Sequence, residues 1–81
     1  MGQDLTLPLT LDEHRELGAE IKVASARFRE LEHLVVSVYG PVNSASISFG
    51  RVVEALERLQ REMEAQAATD VPSHRTYDLY R

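Results

Sequence analysis

The sequence predicts an all-α chain: an antiparallel two-helix hairpin, over residues of about 11–39 and 46–68, with an extended N-terminal arm and a C-terminal tail. Three observations carry that prediction. Leu17, Ile21, Ala24, Phe28, Leu31, Val35 and Val38 fall in strict 4-3 alternation, a heptad seam on one helix face. Phe49, Val52, Leu56, Leu59 and Met63 repeat the alternation, widened by Val53 and Ala55. Between the two seams, Gly40-Pro41 stops one helix and a Ser-rich stretch offers caps for the next.

The elements follow in order. Residues 1–9 form the arm. Leu5, Leu7, Leu9 and then Leu11 occupy every second position, which favours an extended segment, and Pro8 rules out a central strand. These leucines either pack on the chain's own helices or lie on a neighbouring subunit. Met1-Gly2 with Thr6 also fits a myristoylation pattern, but the acidic balance supplies no second membrane signal. Thr10-Leu11-Asp12-Glu13 reads as a capping box, and Asp12, Glu13 and Glu16 suit the positive end of the helix dipole. From there to Tyr39 the helix is about 43 Å long at 1.5 Å per residue. Helices of that length in small chains usually pair along it. A weaker stripe, Ala19, Val23 and Ala26, lies away from the main seam and reads either as a second close contact or simply as good helix formers.

Asn43, Ser44 and Ser46 are all N-cap candidates for the second helix. The stretch lacks the Gly spacing and the Lys of a phosphate-binding loop. Glu54–Arg58 and Glu57–Arg61 sit at i,i+4 with the acid first and mark a solvated face. Gly50 weakens the helix start, as expected where a facing element comes close. The tail, residues 69–81, ends in Tyr77-Asp78-Leu79-Tyr80. It reads as a partly ordered end or as an aromatic anchor for a partner, with Leu5, Leu7, Tyr77, Leu79 and Tyr80 as the candidate docking residues.

Composition bounds the function. The 81 residues make one domain with a small core, and such domains often need a staple. There is no Cys, so the staple is not a disulfide, and the expected compartment is the reducing cytoplasm. A net charge of −4, with no basic stripe, argues against nucleic acid. Apolar runs such as Leu34-Val35-Val36 are too short to span a bilayer, and neither a signal peptide nor a basic amphipathic face is visible.

Chemical constellations are weak. Glu30 and His33 match a di-iron Glu-x-x-His pair, but the heptad register turns both outward. His14 continues the seam backwards beside Glu13 and Glu16, where it serves either as a hydrogen-bonded core residue or as a ligand or switch. His74 stands alone in the tail. No nucleophile, base and orienting group occur together, so no catalysis and no cofactor or metal are expected. The expectation is a non-enzymatic interaction or scaffold module. Its two stripes face each other yet remain partly exposed, so two copies pair as a four-helix bundle. The rivals are a small regulatory subunit holding a metal or ligand through His14 or His33, and one half of a hetero-oligomeric complex.

Overall fold

The computed structural model of this chain describes residues 7–76 and 78–81. Among them are two helices, α1 (Leu11–Tyr39) and α2 (Ser44–Asp70), packed as a hairpin, and no strand. The capping box forms as its residues dictate. Thr10 Oγ1 accepts the Glu13 N–H at 3.2 Å, and Glu13 Oε1 accepts the Thr10 N–H at 2.9 Å. α1 stops at Gly40, whose N–H donates to the Val36 carbonyl at 2.8 Å.

The stop differs from the left-handed helical cap that glycine usually provides. Gly40 has φ 88° and ψ 162°, a region essentially reserved for glycine. The following Pro41 pushes ψ of its predecessor toward extended values, which explains the departure. Asn43 resolves the choice of cap, because its Oδ1 accepts the Ala45 N–H at 2.8 Å. α2 therefore begins two residues before the expected start and runs to Asp70, two beyond the expected end. Ser46, freed from capping, is buried and donates to the Gly40 carbonyl at 2.6 Å.

The packing rotates the seams. The most buried positions of α1 are His14, Gly18 and Ser25, and those of α2 are Ser46, Val53 and Ala67. At 100° per residue, the centre of α1's apolar seam lies roughly 90° from its buried line, and that of α2 roughly 70° from its own. In antiparallel helices, rotation in the same sense carries both seams to one broad face of the layer. Phe28 and Phe49 meet there, ring centroids 6.1 Å apart. The stripes thus stand side by side instead of facing each other. Ser25 and Val53 are buried between the helices, whereas His14 and Gly18 lie under the tail.

Leu17, Ile21, Ala24, Phe28, Leu31, Val35, Phe49, Leu56 and Met63 are half-buried, whereas Val38, Val52 and Leu59 are exposed. The Cα positions extend 46 × 32 × 16 Å, one helical layer deep along the shortest axis. No helix among the described residues is long and apolar enough to cross a membrane.

Candidate functional site

Two features stand out: a polar cluster where the tail folds back on the hairpin, and the open apolar face opposite it. The cluster joins three distant parts of the chain. His14 comes from the first turn of α1, Asp70 from the last turn of α2, and Tyr80 from the tail. His14 Nε2 lies 2.9 Å from Asp70 Oδ2, and His14 Nδ1 lies 2.6 Å from the Tyr80 hydroxyl. A carboxylate only accepts, so Nε2 carries the proton it donates to Asp70. With that tautomer, Nδ1 accepts the Tyr80 O–H. The two rings meet edge to face at 86°, with centroids 5.8 Å apart. Both residues are 0% exposed.

The electrostatics follow from these contacts. Hydrogen bonds from His14 first and Gln66 second (Nε2 to Oδ1, 2.8 Å) hold the Asp70 carboxyl below its ordinary range, against a smaller opposing effect of burial. The Leu9 backbone N–H adds to the same effect. Burial, and then the Asp70 charge, push the Tyr80 hydroxyl upward. An acid in the last turn of a helix opposes the helix dipole, and His14 supplies the partner that tolerates it there.

The tail is held at further points. An added Cβ on Gly18 would fall onto the Leu79 carbonyl, so the tail backbone occupies the space this glycine leaves. Lys22 Nζ donates to the Asp78 carbonyl at 2.9 Å. The Arg81 fork grips both Glu64 oxygens at 2.8 and 2.9 Å and holds the Glu64 carboxyl below its usual range. Beside the tail lies a cleft of about 580 Å³, in which Arg29, Arg61 and Arg81 are interleaved with Glu57 and Glu64. Glu57 reaches across to Arg29 at 3.4 Å instead of pairing along its own helix with Arg61.

Tyr80, His14 and Asp70 have the bonding order of a nucleophile, a base and an orienting carboxylate. The hydroxyl, however, is sealed from solvent and its pKa is pushed up, away from activation. The arrangement clamps the tail across the two helix ends.

The residues expected to dock on a partner separate accordingly. Tyr80 is buried within its own chain and Leu79 is half-buried there, whereas Leu7 is 88% exposed; Leu5 and Tyr77 lie outside the described residues. Glu30 and His33 are both exposed, as the heptad register requires. Glu32 is the residue that comes close to Gly50, its Oε2 lying 3.3 Å from where a Cβ would sit. The seam pattern shows neither Gly18 nor Ser25. Glycine inside a helix and an acid at a helix C-terminus were the available signals for the clamp. No known protein family, curated protein or solved structure matches the chain.

Proposed function

We propose that this chain is a non-enzymatic protein-interaction module that acts as a homodimer, two hairpins laying their apolar faces together as a four-helix bundle. The observation that carries this reading is the placement of both seams on one broad face, where Val38, Val52 and Leu59 remain 63%, 40% and 38% exposed. Two such faces stacked at about 20° bury four stripes in one core. The single chain has little core of its own: among the described residues, the buried apolar side chains are Val53, Ala67 and Tyr80.

The metal- or ligand-binding alternative has less behind it. Both ring nitrogens of His14 are engaged, and His33 is exposed on the face away from the seam.

Light scattering over a concentration series tests the reading. The expected mass is about twice the 9.1 kDa of one chain at micromolar concentration. Val52→Glu combined with Leu59→Glu should weaken association on the order of a hundredfold or more, because the new charges would be buried at the interface. A wild-type chain that stays monomeric and melts cooperatively at that concentration overturns the proposal. An equimolar complex with a different protein, formed at the expense of the dimer, would replace it with a hetero-oligomer.

A further inference from the structure

The two ends of the hairpin differ in charge. No Asp, Glu, Lys, Arg or His occurs from residue 34 to residue 50, the stretch that forms the closed end. That end exposes large apolar side chains: Val42 is 85% exposed, Tyr39 64%, Val38 63% and Leu34 58%. The open end is acidic. Asp12, Glu13, Glu16 and Glu20 are set against Arg15 alone in residues 10–20, residues 62–70 add three acids and no base, and the tail docked there, residues 71–81, returns two arginines and one acid, so the end stays net negative. The arm leaves from this open end, and its Leu7 is 88% exposed.

These facts bear on how two copies would meet. A parallel pair would bring two acidic ends together, and like charges side by side oppose association. An antiparallel pair sets each acidic end beside the partner's uncharged tip, without repulsion. It also places the arm of one copy next to the exposed apolar tip of the other. Residue 7 lies four residues before the start of α1, a reach of up to about 13 Å, compared with interhelical spacings of 8–10 Å.

Resting on the dimer proposed above, we infer that the hairpins pair antiparallel and that the arm of each copy docks, through Leu7, on the uncharged tip formed by Val38, Tyr39 and Val42 of the other. Each tip then covers the partner's exposed leucine, and each leucine covers part of the partner's tip. Arm and tip form the two ends of one continuous interface.

The chain contains no cysteine, which makes engineered disulfides a clean test. Within one chain, residues 7 and 42 lie at opposite ends of a helix about 43 Å long. A disulfide requires Cα atoms within roughly 7 Å, so a bond between these positions joins two copies. Leu7→Cys combined with Val42→Cys should give a covalent dimer on mild oxidation at low micromolar concentration. Each single variant should cross-link at least tenfold less.

Efficient cross-linking by Val42→Cys alone would indicate tips meeting each other and would overturn the inference. So would a dimer seen by light scattering with no cross-link from the pair, which leaves the dimer standing but removes the arm-to-tip contact. A monomeric wild-type chain overturns both proposals. Sedimentation of the wild-type chain with phosphatidylcholine vesicles, lost in Val42→Glu, would assign the tip to a lipid surface and also overturn the inference.

Discussion

The two broad faces of the hairpin differ in what covers them. One is covered by the chain's own tail, through directional contacts: the Tyr80–His14–Asp70 cluster, the Arg81–Glu64 fork and the Leu79 backbone over Gly18. The other carries two apolar seams side by side, with Val38, Val52 and Leu59 exposed. A directional closure selects one segment, because a buried polar group left without its partner is costly. An apolar face selects only by shape and area, so many surfaces could cover it. The polar face identifies its occupant and the apolar face does not, which is why one is a finished contact and the occupant of the other is a proposal.

The comparison breaks most clearly at Phe28. Phe28→Ala should cost about 3–5 kcal/mol where the ring is fully buried. On the proposed dimer face that loss depends on concentration: it is large when copies are paired and shrinks on dilution. Urea denaturation at two protein concentrations at least a hundredfold apart checks this. Equal losses at both would place the ring's contribution within a single chain.

Gly18→Ala probes the tail face. The new methyl group displaces the Leu79 carbonyl, and crowding of this kind costs about 1–3 kcal/mol. Helix propensity alone favours Ala by about 1 kcal/mol, so the sign decides. A loss that does not depend on concentration, with faster amide exchange at Leu79, supports the docked tail. A gain of about 1 kcal/mol would show that the tail is not seated there.

The clamp also sets a pH window. Asp70 is held below its ordinary value in the folded chain. Its contribution is therefore complete above about pH 4 and is lost as the pH falls through the lowered folded value. Tyr80 is raised. Its contribution is complete below about pH 10 and is lost as the pH rises further through the folded value. Tail protection, followed by limited proteolysis or amide exchange, should hold between these limits and fall outside both. His14→Ala should shrink the acid limb, because His14 is the largest cause of the Asp70 shift, with Gln66 and the Leu9 backbone remaining.

The smallest expected effect lies between the faces. Ser25 is 1% exposed, and its hydroxyl has no hydrogen-bond partner. Ser25→Ala removes an unpaired polar atom and improves helix propensity, so it should stabilise the chain by about 0.5–1 kcal/mol in thermal or urea melts. Destabilisation would reveal a role for the hydroxyl that the packing does not show.

Much of the hairpin is legible in the sequence because its causes are local. Thr10 and Glu13 lie one helical turn apart, Gly40 and Pro41 are adjacent, and the apolar periodicity repeats within each helix. The clamp is harder to read. Its members are 56 and 66 residues apart, and no spacing rule links His14 to Asp70 or Tyr80. Two of them bear a local sign of misfit, a histidine continuing an apolar seam and an acid at the wrong end of a helix, and Gly18 beneath the tail is a glycine within a helix. A local misfit is the trace that a distant partner leaves.

By itself, the sequence determined that there are two helices, where the first begins and ends, and that each carries an apolar stripe. These follow from hydrogen bonds and side-chain spacing within a few residues. Only the tertiary structure decided how far each helix turns about its axis. That rotation brings both stripes toward one face and leaves the other, with Gly18 and His14 on it, to the tail. It is set by the balance of packing across the whole layer, to which every residue on the contact line contributes.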